Sequence, residues 1–256
     1  MSDHLSLREH RNDRSAGAPQ TTTLLVIAKS PVPGRVKTRL TPALTARQAA
    51  EVAEAALADT LDAVRAAPAR RRVLVLDGEP RAWFPADIEI VPQAAGGLDE
   101  RLAAAFALAA GPALLIGMDT PQITPELLTV DWTDADAWFG PATDGGFWAL
   151  GLRRPDPGLL RGVPMSAPHT GAAQYARLAA ANLRIRALPE LRDIDTPDDL
   201  THVATGAPRT RTARLATSLG APTAGRTEPD HRSGSSAARH RVPARATGGA
   251  PTGVPA

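Results

Sequence analysis

The chain of 256 residues contains no cysteine, which excludes disulfides and thiolate metal sites. Lysine is nearly as scarce: Lys29 and Lys37 are the only two, both in one loop, while arginine carries every other basic side chain. Aromatic residues make up 4%, leaving little for base-stacking platforms and arguing against a nucleic-acid reader. The longest apolar run, "LAAAFALAAGPALLIGM", is interrupted by Gly111-Pro112. It is short for a membrane span and reads as a helix, a turn and a buried strand. The opening "MSDHLSLREHRNDRSAGAPQ" has no apolar core of a signal peptide, so the protein is expected to be cytoplasmic. Neither G-x-S-x-G nor H-E-x-x-H occurs, nor do the glycine signatures G-x-x-x-x-G-K-[ST] and G-x-G-x-x-G. His169 is the one histidine well inside the globular span, and a lone histidine is more often structural than catalytic.

What is present divides the chain in three. The formal net charge of +2 hides an uneven distribution. Residues 1–20 balance three bases against three acids; residues 21–202 carry 18 Lys+Arg and 22 Asp+Glu, a formal −4; residues 203–256 carry eight arginines and two acids, a formal +6. That last stretch, rich in Ala, Thr, Gly, Pro and Ser, lacks the apolar content to offset the entropy of ordering, so a disordered basic tail is expected over 203–256, and a disordered one over 1–20. Between them, short apolar strands ("TTLLVIA", "RVLVLD", "IEIV", "ALLIG", "DAWFG", "GFWALGL", "LRIRAL") alternate with helical stretches. Thr45 and Gln48 make a capping box before the first helix. Thr124-Pro125-Glu126 and Thr196-Pro197-Asp198 have the form of helix starts. The pattern predicts an α/β fold, a Rossmann-like three-layer sandwich with a mostly parallel sheet. Ligands of such sheets bind outside the carboxyl ends of the strands.

Two groups of residues sit at those ends. "KSPVPGRVKTR" follows the first strand with four cations, Lys29, Arg35, Lys37 and Arg39, on a turn set by Pro31, Pro33 and Gly34. Cations at a strand-to-helix crossover suit phosphate, lysine as a point charge and arginine as a planar fork. The second group is acidic. Asp119 closes the apolar strand "ALLIGM", where an ionised carboxylate is costly unless paired or on a metal. Asp144 precedes Gly145-Gly146, as a turn residue, a metal contact or a group that holds the acceptor. Asp193 and Asp195 lie in "RDIDTPDDL", while Asp198 and Asp199 read as acids of a helix N-terminus. Carboxylates completed by water and phosphate are what Mg²⁺ or Mn²⁺ prefers, with Asp119 first and Asp195 second as ligands.

Together "AKSPVPGRVKTRLTP", "GGLDERLAAAF", "LLIGMDTPQITPELL", "GPATDGGFWALGL" and "DIDTPDDL" resemble the GT-A-like transferases known as radical-SAM/selenodomain-associated, or arsenosugar-biosynthesis-type, glycosyltransferases, formerly a domain of unknown function. The resemblance implies the nucleotide-diphospho-sugar transferase fold over residues 21–202. It implies nucleotide contacts at Ala28, Lys29, Gly34, Arg35, Lys37 and Arg39, and metal ligation by Asp119 and Asp195. The implied partners are a nucleotide or nucleotide-sugar donor and a small acceptor. Two departures stand out: Gly117-Met118-Asp119 replaces the Asp-x-Asp of many sugar transferases, and the first loop is proline-rich where nucleotidyltransferases carry glycine. Glycosyl transfer is the leading expectation, with Lys37, Asp119 and Asp144 catalytic. Nucleotidyl transfer to a phosphorylated small molecule is the alternative, with a non-catalytic nucleotide-binding module a distant third.

Overall fold

A computed structural model describes residues 22–220. Seven strands form one sheet: β1 (Thr23–Lys29), β2 (Arg71–Asp77), β3 (Glu89–Pro92), β4 (Ala113–Gly117), β5 (Ala137–Pro141), β6 (Phe147–Leu152) and β7 (Ile185–Ala187), in the order β3-β2-β1-β4-β6-β5-β7. Pairings β1–β2, β1–β4, β2–β3 and β5–β7 are parallel, and β6 runs antiparallel to both β4 and β5. The fold is therefore the expected α/β sandwich. Central strands buried on both faces read as continuous apolar runs rather than alternating ones. In "TLLVIAK" of β1 every residue but the last is at least half-buried.

Helices cover both faces. Helix α1 (Ala46–Ala66) opens on the Thr45–Gln48 capping box and buries two stripes. Ala53, Leu57, Leu61 and Val64 pack on the sheet with Val26 and Leu74. Ala49, Val52 and Ala56 belong to a separate cluster on the helix's outer side. Helix α2 (Leu98–Ala107) and helix α3 (Thr170–Ala180) cover the opposite face, around Leu25, Phe106, Leu115 and Leu150.

Two expectations are corrected. The segment from Thr124 forms no helix. Its backbone makes successive i→i+3 bonds, Leu127 to Thr124, Leu128 to Pro125 and Thr129 to Glu126. Thr129 and Val130, both weak helix formers, do little to extend it past this turn. The globular boundary at residue 202 also moves. Helix α4 (Pro197–Gly206) runs through it and helix α5 (Arg211–Ser218) follows. Their Leu200, Val203, Ala204, Ala213 and Ala216 pack with Ala49, Val52 and Ala56 of α1. Small apolar residues at helical spacing bury well when a partner stripe is waiting, a term that composition does not register. The expected tail over 1–20 lies outside the described residues, as does the expected tail beyond residue 220. No helix among the described residues is long and apolar enough to cross a membrane.

Candidate active site

A cavity of about 560 Å³ opens above the carboxyl ends of β1 and β4. Ala28 and Lys29 line it from β1, Arg35, Lys37 and Arg39 from the following loop, and Asp119, Asp144 and Asp195 from three later loops. Every residue expected at the site contributes to its lining except Gly34. That glycine has φ +78° with open space around it. It supplies the left-handed position of a turn closed by Arg35 N–H on the Val32 carbonyl at 3.0 Å.

The loop residues are placed by their neighbours. Lys37 lies at φ 49°, ψ 37°, left-handed backbone that is uncommon outside glycine and Asn/Asp and is concentrated at functional sites. It precedes a 3₁₀ turn, Thr38–Leu40, whose Leu40 is fully buried in the cluster under α4 and α5. Ile194 is buried in the same cluster, flanked by Asp193 and Asp195, which both line the cavity. Asp199 secures this second loop from α4. Its carboxylate accepts from Thr196 N–H at 2.9 Å and from Arg192 at 2.8 Å.

Opposite charges meet at the loops' junction. The Lys37 ammonium lies 2.9 Å from Asp119 Oδ1 and 3.3 Å from Asp195 Oδ1, with its side chain 5% exposed. The contact with Asp119 is a close ion pair at the buried Oδ1, which accepts no other hydrogen bond. Burial alone would lower the lysine's pKa, but the pull of Asp119 and Asp195 outweighs it and holds the group above its ordinary value. Arg39, 73% exposed, reaches the other oxygen of Asp195 at 2.7 Å.

A cluster of carboxylates includes Asp193, which the sequence places among the strand-end acids without a role at the site. Asp144, Asp193 and Asp195 present oxygens within 4.8 Å of one another. Burial, with Asp144 and Asp195 close by, raises the pKa of Asp193 to about 6. The signal for it was the alternation Asp-Ile-Asp, which puts two acids on one side when the middle residue is core. Asp144 sits in a tight turn, its Oδ1 accepting from Gly146 N–H at 2.7 Å. Gly145, at φ +87°, lets that turn lie against the Pro168 carbonyl. Gln93, Arg101, Met118, Thr120 and the segment 165–167 also line the cavity without having been expected there. His169 is exposed, precedes α3, and makes no capping hydrogen bond.

The fold is shared with proteins of known structure. A model of the family described as "uncharacterized protein conserved in bacteria (DUF2064)" matches residues 44–167. Among solved structures, a protein of Desulfovibrio desulfuricans G20 provisionally named a nucleotide-diphospho-sugar transferase is 25% identical, with a TM-score of 0.71 over 77% of this chain and 96% of that one. Rv0371c of Mycobacterium tuberculosis H37Rv in complex with manganese is 21% identical over 72% of this chain and 98% of that one, at a TM-score of 0.44. A CMP:2-keto-3-deoxy-manno-octonic acid synthetase complexed with CTP is 14% identical over 77% of this chain and 100% of that one, at a TM-score of 0.46. A comparison with curated proteins finds no match.

Proposed function

We propose that this protein is a metal-dependent transferase that moves a glycosyl group from a nucleoside diphosphate sugar to a small acceptor. One observation carries the reading. Cationic and acidic loops converge at one cavity on the carboxyl ends of β1 and β4, where Lys37, Asp119 and Asp195 are in direct contact. The fold shared with the Desulfovibrio protein supports it, as does the ordered resemblance of five motifs to GT-A-like transferases.

The residues fit a divalent cation. Asp144, Asp193 and Asp195 present oxygens within 4.8 Å of one another, and the Asp193 carboxylate, buried and crowded until its pKa rises to about 6, is relieved by positive charge. Asp119 and Asp195, which share the Lys37 ammonium, would hold Mg²⁺ or Mn²⁺, with Asp193 and Asp144 close to Asp195. Such an ion, when bound, neutralises charge developing on the leaving diphosphate. The chain's own groups do the rest. Lys29, Arg35 and Arg39 grip the diphosphate from the first loop, and Lys37 carries charge to its inner side. The acceptor hydroxyl oxygen attacks the anomeric carbon as the bond to the phosphate oxygen breaks, and Asp144, the exposed acid of its cluster, takes the hydroxyl proton.

The test is a panel of nucleoside triphosphates, diphosphates and diphosphate sugars, with and without Mn²⁺, read by thermal shift and then by product analysis. A ligand that binds only the native state raises the melting temperature by mass action. Stabilisation requiring both a nucleotide sugar and Mn²⁺, followed by release of nucleoside diphosphate, is the expected result. Pyrophosphate release from a triphosphate would assign nucleotidyl transfer instead.

A further inference from the structure

We propose that Lys37 is a resident cation on the metal-binding carboxylates: its ammonium competes with the divalent ion for Asp119 and Asp195, and the donor's diphosphate draws it away, so that metal and donor bind together. The inference rests on the metal-dependent reading above and adds a binding order to it.

Three features of Lys37 carry it. Its ammonium contacts both carboxylates, at 2.9 and 3.3 Å, from a side chain only 5% exposed. Burial of an ammonium is costly, and here the two carboxylates offset that cost, while the backbone takes up left-handed geometry at this residue. Asp119 Oδ1 is buried and accepts no other hydrogen bond, so a departing ammonium has to be replaced there by another cation. A small dication and an ammonium cannot both lie between the same two carboxylates. Oxygen ligands of Mg²⁺ stand at about 2.0–2.1 Å from the ion, inside the contact distances that Lys37 keeps. Neither neighbour blocks the exchange. Arg39, on the far oxygen of Asp195, is 73% exposed and free to follow the phosphate, and lysine's flexible stem suits a charge that changes partners. A diphosphate entering from the Lys29–Arg39 side offers the ammonium an equivalent anion.

The consequence is a coupling free energy shared between two ligands, equal whichever binds first. Metal alone should bind weakly, because the competent arrangement is a minor one, and weakened in proportion to its population.

Mn²⁺ titrated calorimetrically into the full chain tests this. Lys37→Met should bind Mn²⁺ alone at least about tenfold more tightly than the unaltered protein, the factor expected when a competent state populated at about a tenth becomes the only one. Lys37→Arg, which keeps the charge, should stay weak, and Lys37→Met/Asp119→Asn should lose the gain. Saturating UDP or GDP, whichever binds, should tighten Mn²⁺ by a larger factor in the unaltered protein than in Lys37→Met, where only the direct attraction of ion and diphosphate remains. Should Lys37→Met fail to fold, the unaltered chain supplies a second measurement. With two lysines only, ¹³Cε-lysine labelling gives two side-chain signals, and the one from Lys37 should move with Mg²⁺ plus nucleotide but not with Mg²⁺ alone. Equal Mn²⁺ affinity in Lys37→Met and the unaltered chain, or an immobile Lys37 signal when nucleotide and metal are demonstrably bound, overturns the competition. Absence of any metal or nucleotide binding overturns the underlying function instead.

Discussion

Asp59 lies on α1, away from the cavity, yet its loss should be felt more than that of any exposed acid on the same helix. Its side chain, 8% exposed, caps the start of α5 from outside. Oδ1 accepts from Arg211 N–H at 2.9 Å, and Oδ2 from Thr212 N–H at 2.9 Å and Thr212 Oγ1 at 2.8 Å. Asp59→Ala removes three bonds to a charged acceptor and strands the donors of a fully buried Thr212. A lost cap costs about 0.5–2 kcal/mol, and a buried donor left unpaired about 1–3 kcal/mol. Taken together, and allowing that neighbours do not add, the change should cost about 3 kcal/mol. In a domain of this size that is a fall of about 6–12 °C in melting temperature. Asp62→Ala is the control: Asp62 also pairs with Arg211 but is 49% exposed, and exposed pairs contribute under about 1 kcal/mol. Differential scanning calorimetry of the two variants decides the matter. An Asp59→Ala loss no larger than that of Asp62→Ala would mean that α5 is not docked as described.

Three further outcomes concern the cavity. Asp119→Ala should lower kcat/KM by about 10²–10³-fold, the scale of one lost electrostatic contact in an active site, with far-ultraviolet circular dichroism unchanged; retained turnover would remove Asp119 from the mechanism. The raised pKa of Asp193, about 6 against an ordinary 3.8, means that the folded state binds this proton more tightly than the unfolded chain does. Its contribution to stability is therefore greatest below the ordinary carboxylate value and is lost as pH rises through about 6; melts in EDTA should show that decline, Asp193→Asn should flatten it, and Mn²⁺ should reverse it. Gly145→Ala should destabilise by at least about 2 kcal/mol, because the added Cβ meets the Pro168 backbone as well as an unfavourable φ. Gly34→Ala, with positive φ but open space, should cost only about 1–2 kcal/mol; equal losses in urea melts would show that the close approach at Gly145 does not matter.

The central sheet was readable because buried parallel strands advertise themselves as unbroken apolar runs, and β1, β2 and β4 each do. The two errors have a common physical source. Thr124-Pro125-Glu126 is a sound local start signal, but a start needs a following apolar stripe long enough to offset nucleation, and Thr129 and Val130 do little to extend it. Residues 203–220 fail the compositional test for a packed segment, yet Ala204, Ala213 and Ala216 bury against Ala49, Val52 and Ala56. Alanine faces pack closely while adding little to a hydrophobicity tally, so the second stripe of α1 was the better clue: a helix apolar on two sides needs two partners.

The site was legible as residue types and illegible as contacts. Confinement of both lysines to one loop marked that loop out, and an aspartate ending an apolar strand marked the other side. Phosphate was the natural partner for those cations when each loop was considered alone. In the folded chain the inner lysine is instead claimed by Asp119 and Asp195, while Lys29, Arg35 and Arg39 remain along the cavity wall. That division depends on Leu40 and Ile194 being drawn into one cluster beneath α4 and α5, which turns Lys37 inward and brings Asp195 to meet it. It is a tertiary fact with no local signature. It also makes the four cations unequal: Lys29 and Arg35 hold no ion pair among the described residues, Arg39 gives up one exposed pair with Asp195, and Lys37 must first give up two carboxylates, which is why a metal ion and a diphosphate should assist one another here.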